Sequence, residues 1–312
     1  MQRAAGSELR MREIGPRVIR DHLPDQHREF FEQLPALLVG SVDAQQRPWA
    51  SMLTGWPGFI TTPDARHLHV AAWPMEEDPL HAQLRIGLAL GLLGIEPQTR
   101  RRNRANGHVV ALADQGFTLR VDQSFGNCPK YIQARTPQWA GDASQRLPVR
   151  HEGARLSDAA AALVAGADTL FIASTVPGQG VDVSHRGGKP GFVRVDHRAS
   201  GTVLTLPDFI GNFFFNTLGN ITSHPKAGLL FVDHETGGVL QLTGRAAIIA
   251  SGVEVEAIVG AQRLLRIEVE AGLWSPEALP LRWSAPALAP QFDAARRDSR
   301  PASDPAPRYS HA

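Results

Sequence analysis

The sequence predicts a mainly β protein with short helices, built from two tandem copies of one β unit. Two observations carry this. Short apolar runs with β-branched residues alternate with turn residues, as in a meandering antiparallel sheet. The order of these runs in the first half recurs in the second, which marks an internal duplication. In the first copy Asp25–Leu34 (DQHREFFEQL) reads as a short helix with Asp25 as N-cap. Ala36–Val42, Trp49–Thr54, Gly58–Thr61 and Leu68–Ala72 read as strands, with turns at Asp43–Arg47 and Thr62–Arg66. Pro79–Arg85 is a helical insertion, and Leu88–Ile95, Gly107–Ala113 and Phe117–Val121 complete the set. Gln133–Arg155 is a polar connector with Pro137 and Pro148, and Ser157–Ala165 is a Ser-capped, Ala-rich helix.

The repeat is legible in landmarks. Thr169–Ser174 (TLFIAS) matches Ala36–Ser41 (ALLVGS), and Pro190–Phe192 matches Pro57–Phe59. Thr202–Pro207 stands where His69–Pro74 stands, Gly228–Val232 (GLLFV) matches Gly91–Ile95 (GLLGI), and Glu268–Val269 match Arg120–Val121. The domain boundaries are accordingly a polar lead-in over 1–24, a first β domain over 25–136, a connector over 137–156, a second β domain over 157–284 and a disordered Pro/Ala/Arg-rich tail over 285–312.

Composition narrows the function. Of 312 residues 43% are apolar and the formal net charge is +1, which gives no footprint of a nucleic-acid or anionic-membrane binder. The single cysteine, Cys128, allows no disulfide within the chain and suggests a reducing compartment. The most apolar stretch, Ile86–Ile95, is too short to span a bilayer, and the N-terminus has no secretory signal. A cytoplasmic location is the expectation.

The densest chemistry lies in Asp182–Val193 (DVSHRGGKPGFV), where Ser184, His185, Arg186 and Lys189 sit among glycines. Fixed cations, a hydroxyl and accessible backbone amides make an anion site, most often for phosphate. Aligned on Pro-Gly-Phe, Ser184 falls opposite Ser51, but Arg186 faces Leu53 and Lys189 faces Trp56. Conversely the first copy closes with SFGNCPKYIQAR (Ser124–Arg135), whose Cys and Lys are missing from Gly272–Trp283. Each copy keeps a polar element that the other has lost, which suits one composite site between them.

These segments, with LPDFIGNFFFNTLGNITSHPKAGLLFVD and GVLQLTGRAAI, resemble the flavin-nucleotide-binding split barrels related to pyridoxamine 5'-phosphate oxidase. The resemblance spans most of Ala36–Trp283, is most specific over Asp182–Ala246, and includes the tandem form fused elsewhere to a flavin reductase and a ferredoxin. It implies two tandem FMN-binding split barrels forming an intrachain pseudo-dimer. Family members are usually homodimers of six-stranded barrels with FMN in the interface. It further implies FMN phosphate held by Ser184, Arg186 and Lys189, with His185 in the same loop. Leu206, Pro207 and Asp208 would run along the isoalloxazine, and Asn212, Asn216 and Thr217 would bond ribityl or ring atoms. Gln241, Thr243 and Arg245 would face the same site, and Lys130 would reach across from the first barrel. The sequence lacks the paired Arg and Lys pattern of true pyridoxamine phosphate oxidases, so that reaction is not expected.

No zinc-ligand spacing, HExxH, Walker or Rossmann pattern occurs, and no metal or side-chain catalyst is expected. Cys128 reads as a small half-buried group beside a strand end, and Arg100–Arg104 (RRRNR) as a solvated hairpin, the alternative being a site for a dinucleotide phosphate. Three functions follow. The first is an FMN-dependent oxidoreductase passing electrons from NAD(P)H to a small-molecule acceptor. The second is a flavin carrier served by a separate reductase or ferredoxin. The third is haem binding or degradation, with His185 as axial ligand. The expected assembly is a monomer or homodimer.

Overall fold

A computed structural model of the chain describes residues 2–3, 6–141 and 147–292. The first half runs α1 (Glu8–Val18), α2 (Asp25–Glu32), β1 (Ala36–Val42), β2 (Pro48–Thr54), β3 (Ile60–Asp64), β4 (His67–Val70), α3 (Pro79–Gln83), β5 (Ala89–Glu96), β6 (Arg101–Ala113) and β7 (Gly116–Gly126). Two short strands follow, β8 (Pro137–Trp139) and β9 (Arg150–Glu152). The second half runs α4 (Asp158–Gly166), β10 (Thr169–Thr175), β11 (Val181–Gly187), β12 (Arg194–Arg198), β13 (Gly201–Phe209), α5 (Asn216–Ser223), β14 (Lys226–Val232), β15 (Val239–Ile249), α6 (Val253–Glu256), β16 (Ala261–Ser275) and β17 (Leu281–Trp283).

The two sheets have one topology. The first is ordered β2-β1-β5-β6-β7-β4-β3 and the second β11-β10-β14-β15-β16-β13-β12, with β9 added on β16. All these pairings are antiparallel. One irregularity recurs as well, for the β6/β7 bulge at Asn106/Gly107 has its counterpart in β15/β16 at Thr243/Gly244. Every strand of the first sheet contributes to one core that includes Leu37, Leu53, Ile60, Leu68, Leu92, Val109 and Phe117. The sheet therefore wraps around that core, and its unpaired edges, β2 and β3, mark the split of the barrel. The second sheet wraps a matching core around Leu170, Ile172, Leu204, Leu229 and Ile267.

The barrels pack through a third core. In β1, Leu37 and Val39 point into the first barrel while Leu38 points out of it; in β10, Leu170 and Ile172 point in and Phe171 and Ala173 point out. The outward residues join Leu93, Ile95, Val183, Leu230 and Val232 in one buried cluster drawn from both halves. Side chains alternate across a strand, so a run apolar at every position is one buried on both faces. The repeated glycine of GLLGI and GLLFV lies in this seam. A Cβ on Gly91 would stand 2.4 Å from the carbonyl oxygen of Val181, and one on Gly228 2.4 Å from that of Pro48. These are equivalent pairs, each requiring bare backbone for close approach.

Outside the barrels the structure differs from the sequence reading in three places. The lead-in contains a helix, α1, which buries Met11. The connector carries β8, paired with β17, and β9, paired with β16. The expected disordered tail is packed over its first part. Ala287 bridges Ala134, Ala289 is fully buried, and Phe292 packs on Tyr131 and Phe209. Backbone pairing and an aromatic anchor hold a segment whose composition alone suggested disorder; residues 293–312 lie outside the described residues. Among the described residues no helix is long and apolar enough to cross a membrane.

Candidate functional site

A cavity of about 270 Å³ lies where the edge strand β11 of the second barrel meets β6 of the first. Its other walls are the β13–α5 loop and Asn127–Tyr131. Asp182, Ser184 and Arg186 follow one another at the two-residue period of a strand and share a face. Arg104 reaches them from β6. Its Nη1 donates to Asp182 at 2.9 Å, and its Nη2 donates to the carbonyl of Val183 at 3.0 Å and to Ser184 Oγ. Asn106, Asn216 and Asn220 also donate to the Asp182 carboxylate. Thr217 in the first turn of α5 donates to Ser184 Oγ at 3.1 Å. Arg102 Nη1 donates to His185 Nδ1 at 2.8 Å, and since arginine only donates, the imidazole proton sits on Nε2. Burial, then the charges of Arg102 and Arg186, hold His185 well below its ordinary pKa, so it is neutral.

Cations dominate. Arg102, Arg104, Lys130, Arg186 and Arg263 line the cleft against one lining carboxylate, Asp208. Burial, together with the charges of Arg186 and Arg104, lowers Arg102 to about 10, still charged at neutral pH. Among the described residues the buried Nε atoms of Arg102, Arg104 and Arg186 and Nε2 of His185 have no acceptor. An unpaired buried donor costs about 1–3 kcal/mol; Arg135 and Arg266, outside the cleft, leave their Nε atoms in the same state, so it is the excess of lining cations that suits this cleft to an acceptor-rich group.

Six aromatic side chains also line the cleft, Phe125, Tyr131, Phe209, Phe213, Phe214 and Phe215. Tyr131 stacks on Phe209 with centroids 5.3 Å apart. Tyr131, Phe213 and Phe215 all take left-handed backbone conformations, with φ of 68°, 65° and 59°. Bulky residues there cost on the order of 1–3 kcal/mol each, and such strain clusters at functional sites. Gly187 makes room for Tyr131, because a Cβ on it would stand 2.0 Å from the Tyr131 carbonyl oxygen.

Of the residues singled out in the sequence, Ser184, His185, Arg186, Pro207, Asp208, Asn212, Asn216, Thr217 and Lys130 line this cleft. Cys128, read as a structural group, lines it too. Five are elsewhere. Lys189 is exposed in the turn beyond β11, and Leu206 points into the second barrel's core. Thr243 is fully buried and Arg245 is exposed, both off the cleft. Gln241 faces the opposite, pseudo-equivalent position. It donates to the carbonyl of Ala50 at 2.9 Å and to Ser51 Oγ at 3.2 Å, as Arg104 does to Val183 and Ser184. β6 of the first barrel and its counterpart β15 of the second each reach across to the other barrel's edge strand, so the late strand facing β11 is that of the first half. For the same reason Arg100–Arg104 is not a solvated hairpin. It opens β6, and Arg102 and Arg104 turn inward to partners on β11.

The pseudo-equivalent position is closed from within. Ser51 Oγ donates to Asp78 Oδ1 at 2.6 Å, the backbone N–H of Leu80 donates to the same oxygen at 2.8 Å, and Gln241 Nε2 donates to Oδ2 at 3.1 Å. The Asp78 carboxyl thus caps α3 and takes up donors that in the other half surround the cleft. Burial raises its pKa.

No protein-family profile matches this chain, and no curated protein matches it. Solved structures do. A putative pyridoxamine 5'-phosphate oxidase from Lactobacillus delbrueckii is 10% identical with a TM-score of 0.31, over 38% of this chain and 93% of its own. A FAD-binding protein from Mesorhizobium loti is 13% identical with a TM-score of 0.26, over 41% of this chain and 99% of its own. The heme storage protein HutZ from Vibrio cholerae is 14% identical with a TM-score of 0.27, over 39% and 95%.

Proposed function

We propose that the protein binds one FMN in the cleft between its barrels and works as an FMN-dependent oxidoreductase. The observation that supports this most is the convergence of five cationic side chains, against one lining carboxylate, on an aromatic-walled cavity. The residues present fit the group. Arg104, Ser184, Thr217 and the N-terminus of α5 suit a phosphate. The aromatic wall suits a flat ring, and Asn212 and Asn216 suit ribityl hydroxyls. Bound FMN would supply the two-electron chemistry, and the side chains would hold it, exclude water and set its potential. NAD(P)H is the donor in this reading and a small molecule the acceptor. Haem fits less well, because His185 is 5% exposed, with Nδ1 engaged by Arg102 and its ring packed on Phe171.

The spectrum of the protein as purified, with identification of any released chromophore, tests the cofactor. A haem spectrum, or no uptake of added FMN, overturns the reading. Anaerobic mixing of the FMN-loaded protein with NADH or NADPH tests the reaction. Bleaching by either is expected; bleaching by dithionite alone would leave a carrier served by a separate reductase or ferredoxin.

A further inference from the structure

The cleft holds more positive charge than one flavin phosphate takes up. Arg104 is matched by Asp182 at 2.9 Å. The remaining four cations face Asp208 alone. A phosphate monoester brings close to two negative charges, which leaves one half-buried cation of the cleft without a counter-charge.

The surplus has a location. The Arg104–Ser184–Thr217 group is one pole of the cleft. At the other, the Asp208 carboxylate lies between Arg186 and Arg263 and is 3.5 Å from each. Neither distance reaches the 2.7–2.9 Å of a charge-assisted hydrogen bond, so both guanidinium groups keep donors to offer. Arg263 lies over the Phe215 ring at 5.0 Å, which fixes its plane. Lys130 lines the same cleft and has no hydrogen bond or ion pair to any described residue. Tyr131 and Phe209 stack beside this pole, and burial followed by the nearby Cys128 and Asp208 raises the Tyr131 phenol to about 12, so it adds no negative charge.

We infer that Arg263, Arg186 and Lys130 form a second anion subsite, which receives the carboxylate or other monoanionic group of an aromatic or conjugated small molecule, the flavin's redox partner. This rests on the FMN reading for its role, though not for its binding chemistry. Arginine planes accept a carboxylate in two-pronged fashion, and the rings beside them suit a flat body.

Calorimetric titration with benzoate, and with benzamide as its uncharged isostere, tests the inference on the full chain with and without excess FMN. Benzoate should bind the FMN-loaded protein at least tenfold more tightly than benzamide. Arg263→Gln and Lys130→Gln should each weaken benzoate tenfold or more and weaken FMN by clearly less. Two variants are needed because Arg263 also packs on Phe215, whereas Lys130 has no such neighbour. Equal affinity for the two probes, or none for either, overturns the inference. So does an Arg263→Gln protein that binds benzoate normally but shows an altered flavin midpoint potential, since the charge would then serve the flavin ring. If the chain takes up no FMN yet still prefers benzoate, the cofactor reading fails and the subsite stands.

Discussion

Arg104 has the most to lose by truncation, because its two terminal nitrogens serve Asp182, Val183 and Ser184 together. Removing a charge-assisted contact to a ligand costs about 1.5–3 kcal/mol. Arg104→Ala should therefore weaken FMN by roughly ten- to a hundredfold in a fluorescence-quenching titration, and riboflavin, which has no phosphate, by clearly less. Lys189→Ala should leave both affinities unchanged, because Lys189 is exposed outside the cleft. Equal losses for FMN and riboflavin in Arg104→Ala would show the contact to be structural. The second-barrel half of this site was legible because Asp182, Ser184 and Arg186 are close in sequence. Arg102 and Arg104 were not, because what turns them inward is a partner strand some eighty residues away. Two further histidines set an acid limit. Burial, with the charges of Arg20 and Arg101, lowers His27 to about 4, and burial, with the charge of Arg135, lowers His234 to about 3 despite Asp168 and Asp233. Their ordinary value is 6.5, so below it the unfolded chain takes up protons that the folded one refuses. Stability from these groups is complete above about pH 6.5 and is lost as pH falls toward 4 and then 3. Urea midpoints should drop between pH 7 and pH 5, and the drop should shrink in His27→Gln.

At the level of elements, the segment from Ala285 to Phe292 acts as a strap on the wall of the cleft. Ala134 and Ala287 exchange backbone hydrogen bonds, Gln133 accepts from the Ala289 N–H, and Phe292 closes over Tyr131 and Phe209. A chain ending at Ser284 should fold with a lower Tm and bind FMN more weakly, because the Tyr131 wall loses its backing. Unchanged FMN affinity would mean that the wall stands without the strap. Gly187→Ala should harm the same wall from the other side, since the added Cβ meets the Tyr131 carbonyl oxygen at 2.0 Å. Gly153→Ala is the control, with nothing within 4 Å of its Cβ. The strands themselves were largely legible, because alternation and turn residues act within a few positions. The strap was not, for its hold is long-range pairing that Pro- and Ala-rich composition does not announce. Nor did the landmarks ALLVGS and TLFIAS say why they are apolar at nearly every position. The structure answers that with a barrel core on one face and the inter-barrel seam on the other.

The whole molecule is an imperfect two-fold object, and the imperfection bears on the expected stoichiometry. Arg104 and Gln241 make matching bonds to the other barrel's strand, but a lined cleft adjoins Ser184, whereas around Ser51 the Asp78 carboxyl takes up the donors. Titration of cofactor-free protein with FMN should reach its plateau at one equivalent per chain, and a plateau at two would refute the closed position. The same asymmetry means that neither barrel owns the site. Residues 157–292 alone would keep Ser184, Arg186, Asp208 and Arg263 but lose Arg102, Arg104 and the Asn127–Tyr131 wall. They would also expose the seam face of Phe171, Ala173, Val183, Leu230 and Val232 to water. Burying side chains the size of Phe171, Val183, Leu230 and Val232 is worth about 1.5–3 kcal/mol each, so the isolated half should self-associate or aggregate, and it should not hold FMN. Co-expression with residues 6–141 as a separate chain should restore both solubility and one FMN per pair, because the seam is built from side chains on each half and needs no covalent link. Size-exclusion chromatography followed at 280 and about 450 nm, where oxidised flavin absorbs, reads both properties at once. An isolated second half that stays monomeric and carries FMN as tightly as the full chain would show the site to belong to one barrel, and the contacts of Arg102 and Arg104 across the seam to be incidental.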